Sequence, residues 1–143
     1  MAKKIKFMTN PHFSFLDNFR PCKIKIHGKT YPSVEHYYQS QKTLSPKERE
    51  KIKFARTAGK AKKLGRESKL RKDWNKIKVS VLGKALYAKF TQHPELRKRL
   101  LSTGNSILIE NNPLDPYWGT GPDGKGKNMT GKLLMELRER LSK

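Results

Sequence analysis

Residues 72–90, KDWNKIKVSVLGKALYAKF, decide the fold class. Trp74, Ile77, Val81, Leu82, Ala85 and Leu86 recur at helical spacing, which puts them on one stripe of a helix from about Lys72 to Phe90. A stripe of that kind needs partners to cover it, and the flanking sequence offers several.

Upstream, Thr57 is a helix cap for Ala58-Gly59-Lys60-Ala61-Lys62-Lys63-Leu64, with Gly65 as its stop. Ser45-Pro46-Lys47-Glu48 has capping-box spacing with proline at the first helical position, opening a helix to about Arg56. Ser33 caps Val34 to Leu44, where Val34, Tyr37, Tyr38 and Gln41 share one face and Glu35, Gln39 and Lys42 a neighbouring one. Downstream, Pro94 starts a helix that stops at Gly104, and a last helix from near Asn128 buries Leu133, Leu134, Leu137 and Leu141.

Strands are few. Cys22 to Ile26 alternates apolar and basic, His27-Gly28 interrupts, and Lys29-Thr30-Tyr31 resumes, which is a hairpin signal. Ile5 to Met8 and Ile107 to Glu110 read as short strands, and Phe13, Phe15, Leu16 and Phe19 as loop residues. The expected class is α+β: a mainly helical single domain over residues 1–143 with a few short strands.

Charge narrows the partners. Lys and Arg number 33 against 12 Asp and Glu, a formal net charge of +21 on 143 residues. Such a surface attracts phosphates and polyanions, although a solvated basic face serves solubility equally well. The single cysteine, Cys22, excludes an intramolecular disulfide and fits a reducing compartment; its place in an alternating run suggests a buried structural thiol. No stretch has the length of a signal core or a membrane span, so a cytoplasmic protein without membrane contact is expected. The four histidines are scattered without metal-ligand spacing, so neither metal nor cofactor is expected. No nucleophile-elbow motif appears.

Three features could carry chemistry. Glu35 sits just inside a helix start, where a carboxylate complements the dipole or serves as an acid–base group. Gly59-Lys60-Ala61-Lys62-Lys63 opens a helix whose free N–H groups and lysines can hold a phosphate, although it lacks P-loop spacing and also reads as a solvated basic face. Asp115-Pro116-Tyr117-Trp118-Gly119-Thr120-Gly121-Pro122-Asp123-Gly124-Lys125-Gly126 concentrates glycines, aromatics and carboxylates in one long loop. Glycines permit close backbone approach to a ligand and aromatic rings offer stacking surfaces; the rival reading is a rigid loop with Trp118 plugging the core. Trp74, on its apolar stripe, reads by default as core.

In order along the chain, Phe15-Leu16-Asp17-Asn18-Phe19, Tyr31-Pro32-Ser33-Val34-Glu35-His36-Tyr37-Tyr38-Gln39, Gly59 to Arg66, Arg71-Lys72-Asp73-Trp74, Ala88-Lys89-Phe90, Leu100 to Gly104, Asp115-Pro116-Tyr117-Trp118-Gly119 and Gly126 to Met135 resemble the motifs of the YbiA-like, or NADAR, family. The resemblance implies an N-glycosidase. Some members act on early ribosylamino-pyrimidine phosphates of riboflavin synthesis, and others remove ADP-ribose from guanine bases in nucleic acid. It places catalytic roles on Glu35, Trp74 and Asp115, and on Lys60, which matches a lysine found among the ADP-ribose removers. Substrate contacts fall on Asn18, Tyr117, Trp118, Gly119 and Asn128. Lys60 would form a Schiff base with the ring-opened sugar or bind phosphate. Asp17, Arg20, Leu82, Asn105 and Thr130 depart from the family's usual residues. The charge of +21 together with the presence of Lys60 tilts the expected substrate slightly toward ADP-ribosylated nucleic acid. A riboflavin-pathway intermediate is the alternative, and a non-catalytic ADP-ribose or nucleic-acid binding module is the rival from another class.

Overall fold

A computed structural model describes residues 2–143. Its elements in chain order are β1 (Lys4–Lys6), β2 (Ile24–Ile26), β3 (Lys29–Tyr31), α1 (Val34–Ser40), α2 (Pro46–Lys53), α3 (Ala58–Glu67), α4 (Trp74–Gln92), α5 (Pro94–Ser102), β4 (Ile107–Ile109) and α6 (Met129–Leu141). Helices dominate and the strands are three residues each, which bears out the α+β, mainly helical reading. The chain forms two compact units, residues 18–92 and residues 1–17 with 93–143.

In the unit of residues 18–92, four helices follow the hairpin. His27 (φ 51°) and Gly28 (φ 77°) both take left-handed conformations, the pair of positive φ angles that a two-residue hairpin turn requires. The predicted caps form: Ser33 Oγ, Ser45 Oγ and Thr57 Oγ1 accept the N–H groups of His36, Glu48 and Lys60 at 3.2, 3.2 and 3.0 Å. The capping box around Ser45 is rewired, however. Glu48 Oε1 accepts from Thr43 Oγ1 at 2.6 Å, and Thr43 Oγ1 in turn accepts the Ser45 N–H at 3.1 Å.

α1 ends at Ser40 rather than Leu44, and all seven of its residues are buried. It therefore has no solvent face to set against a core face; α2, α3, α4 and β3 all pack on it. α2 stops at Lys53, short of Arg56. α3 runs through Gly65 to Glu67, so Gly65 is no helix stop; it packs directly against Gln39 of α1. α4 begins at Trp74, and Trp74, Leu82, Ala85 and Leu86 of the predicted stripe are buried, while Ile77 and Val81 are half-buried. Lys89 on the same helix is fully buried. Cys22 is half-buried rather than enclosed, and burial pushes its thiol up.

In the other unit, β1 and β4 pair in parallel, with Lys4 opposite Ile107 and Lys6 opposite Ile109. The expected strand from Ile5 to Met8 is thus shorter, and Phe7–Thr9 turns into a 3-10 segment. Pro11–Leu16 is a second 3-10 segment where a loop was expected; the Asn10 side chain accepts the His12 N–H at 3.1 Å, and Pro11 supplies a preset φ. Ile5, Phe7, Phe15, Leu16, Leu100, Leu108, Leu134 and Leu137 are buried. Leu133 and Leu141 are only half-buried. Among the described residues, no helix is long and apolar enough to cross a membrane, and no cluster of His, Cys, Asp or Glu is arranged to hold a metal ion.

Candidate active site

The Ser33 cap turns the chain so that Glu35 enters the first turn of α1 with its backbone N–H donating to the Asn18 carbonyl at 3.1 Å. Glu35 is only 7% exposed. A carboxylate that complements a helix dipole ordinarily faces water; enclosure on this scale is costly for a charge unless partners hold it. Gln39, one turn later, donates from Nε2 to Glu35 Oε2 at 2.6 Å. Asn18 is itself buried, and its Oδ1 accepts no hydrogen bond among the described residues.

Further along the same side of α1, Tyr38 meets Trp74 edge to face, with ring centroids 5.1 Å apart. Lys42 Nζ lies 5.6 Å from the centre of the Tyr38 ring. Burial holds the Lys42 ammonium below the usual lysine range, and Lys62, Arg66 and Lys78 push the same way; the Glu35 carboxylate works against them. The structure therefore brings Glu35, Asn18 and Trp74 into one unit and joins them through Gln39, Tyr38 and Lys42. Sequence periodicity put Gln39 and Lys42 on the face of Glu35, but only the packed helices give them their roles.

Lys60 lies in the same unit, exposed in the first turn of α3, with its backbone N–H spent on the Thr57 cap. A cavity of about 440 Å³ in this unit is lined by Thr43, Leu44, Lys69, Leu70, Lys72 and neighbours, and contains none of the predicted site residues.

Asp115, Tyr117, Trp118, Gly119 and Asn128 belong to the other unit. Asp115 Oδ1 accepts the N–H groups of Tyr117 and Trp118 at 3.0 and 2.9 Å, and its carbonyl accepts that of Gly119 at 3.1 Å. The carboxylate thus folds its own loop, while Oδ2 accepts no hydrogen bond among the described residues. Tyr117 and Trp118 are half-buried and meet at 4.9 Å, with planes at 89°. Gly119 is buried with the Glu110 carbonyl oxygen 2.6 Å from where a Cβ would stand, so only glycine fits. Asn128 takes a left-handed conformation (φ 52°, ψ 46°) and spends its side-chain amide on β4: Oδ1 accepts the Glu110 N–H and Nδ2 donates to the Leu108 carbonyl, both at 2.9 Å.

The NADAR domain model matches residues 2–142. Two curated proteins are similar over most of the chain. N-glycosidase YbiA of Escherichia coli (strain K12) is 46% identical over 138 residues, 95% of this chain and 86% of that protein. Riboflavin biosynthesis protein VVA0006 of Vibrio vulnificus is 43% identical over 129 residues, 89% of this chain and 35% of that protein. The NMR structure of E. coli YbiA superposes with a TM-score of 0.87 at 44% identity, covering 99% of this chain and 87% of that one.

Proposed function

The chain belongs to the NADAR domain family, and on that premise we propose that it is an N-glycosidase hydrolysing a ribosyl N-glycosidic bond in a nucleotide-like, phosphate-bearing substrate. The observation that carries the reading is Glu35: a buried carboxylate with a short hydrogen bond from Gln39, on the helix that carries Tyr38 of the aromatic pair, its charge acting on the partly desolvated Lys42.

Those groups suit the reaction. When the C1′–N bond breaks, its electron pair leaves with nitrogen and positive charge develops on C1′ and the ring oxygen. Glu35 faces that charge and accepts a proton from the water that attacks C1′. The departing nitrogen takes up a proton, and the donor we assign is the Lys42 ammonium, which burial makes more acidic. Lys60 is exposed in the first turn of α3, a position that supports phosphate binding and leaves its amine open to a ring-opened sugar. For Asp115, the open Oδ2 is compatible with a second carboxylate role.

Two substrates fit. The Vibrio relative, named a riboflavin biosynthesis protein, supports a ribosylamino-pyrimidine phosphate of riboflavin synthesis. The exposed cations Lys63, Arg66, Lys69 and Lys72, three residues apart in sequence, support ADP-ribosylated guanine in nucleic acid, because an extended polyanion rewards more positive charge than a single phosphate needs. The deciding assay incubates the protein with each substrate and measures released sugar. Release from one and not the other identifies the class. Release from neither, with binding retained, replaces the enzyme reading with that of a binding module.

A further inference from the structure

Gln39 is 2% exposed. One end of its amide donates to Glu35; the other, Oε1, is buried and accepts no hydrogen bond among the described residues. A buried carbonyl without a donor costs about 1–3 kcal/mol. Methionine would fill the same space without that cost. What only an amide offers here is an N–H aimed at the carboxylate. With Glu35 ionised, the amide cannot be turned round, since that would set its oxygen against a carboxylate oxygen.

The neighbouring helix is shaped to the same end. Gly65 of α3 faces Gln39, and a Cβ there would stand 3.0 Å from Gln39 Cβ and Cδ and collide with Oε1. Gly65 has no positive φ, so backbone freedom does not explain it. Inside a helix, glycine costs about 1 kcal/mol relative to alanine. The helix gives up that stability at the one position where a methyl group would displace the Gln39 amide.

We propose that Gln39 is a positioning residue for Glu35, and that Gly65 is glycine in order to seat the Gln39 amide. The proposal rests on the N-glycosidase reading. The Gln39 N–H holds the Glu35 carboxylate in one orientation and favours its charged form. A carboxylate already aligned with the developing charge at C1′ need not reorganise during the reaction.

The test compares wild type, Gln39→Met and Gly65→Ala. Steady-state kinetics give kcat and KM, thermal unfolding gives Tm, and carbon NMR follows the Glu35 carboxyl as it titrates. Lys42 just beyond α1, Lys62 and Arg66 of α3 and Lys78 of α4 are unchanged in every variant, so their fields are common to all titrations. In Gln39→Met, kcat should fall at least about tenfold, as for loss of a charge-assisted hydrogen bond, with KM within about twofold. Its Tm should stay within about 5 °C, because the orphaned carbonyl leaves along with the donor. Its Glu35 titration should move to higher pH. Gly65→Ala should show the same loss of kcat with the glutamine still present. An unchanged kcat in Gln39→Met, a matching collapse of kcat and Tm, or an unmoved Glu35 titration would overturn the proposal. If wild type releases no sugar from either substrate, the enzyme reading fails, and the Glu35 titration still decides the Gln39 contact by itself.

Discussion

Tyr38 and Trp74 meet edge to face at 5.1 Å with their planes at 61°, which ties the buried first residue of α4 to the helix that carries Glu35. Trp74→Ala should therefore cost about 3–5 kcal/mol of stability through the cavity alone. Trp74→Phe should keep most of the stability and report on activity. Chemical denaturation read beside turnover separates the two roles: a folded Phe variant with normal kcat removes Trp74 from the catalytic set.

Glu35→Gln should lower turnover at least about a hundredfold while the protein stays folded, since the amide oxygen still accepts from Gln39. Asp115→Asn should likewise keep its loop, because the retained Oδ1 still accepts from Tyr117 and Trp118, while turnover falls by a comparable factor. Asp115→Ala loses the turn as well, at about 1–2 kcal/mol. Normal rates in Asp115→Asn would leave that residue with a structural role only.

Asn128 is expected to be a stability residue first. Asn128→Gly preserves the left-handed backbone but deletes both side-chain bonds to β4, leaving the Leu108 carbonyl and Glu110 N–H without those partners. A loss of about 2–3 kcal/mol by urea unfolding is expected. A stability equal to wild type would show that water replaces the side chain.

His36 gives stability a pH limb. Burial depresses its pKa below 6.5, while Ser33 Oγ and the Ala55 carbonyl hold the ring at 2.7 and 2.9 Å. The unfolded chain then binds the proton more readily than the folded one, so the His36 contribution is fully present above about pH 6.5 and is lost as pH falls toward the folded value. Unfolding free energy measured from pH 7.5 downward should decline in that window. His36→Asn should flatten the decline; an identical slope in wild type and variant would acquit His36.

Reversing the charges at Arg66, Lys69 and Lys72 should impair processing of an ADP-ribosylated strand and leave a small ribosylamine phosphate unaffected. Binding to the strand should weaken steeply with salt. Arg71 is left out of the set because its guanidinium is committed to Asp73 at 2.6 Å. Equal loss on both substrates, or binding indifferent to salt, would count against a nucleic-acid substrate.

Features that depend only on near neighbours in the chain are readable from the residues alone. A cap needs only a hydroxyl three residues before an N–H, so Ser33, Ser45 and Thr57 were legible, as was the His27-Gly28 turn. The family motifs were legible for the same reason, and with them Glu35 and Trp74 as residues to watch. Packing between distant segments decided the rest. Nothing local says that Lys4 pairs with Ile107, that Asn128 serves β4 rather than a ligand, or that Gly65 is an interior contact rather than a helix stop. Periodicity aligned Glu35, Gln39 and Lys42, but a period fixes only direction around a helix axis. Desolvation of Lys42 and the short Gln39–Glu35 bond exist only because α3 and α4 close over α1 and exclude water from that face.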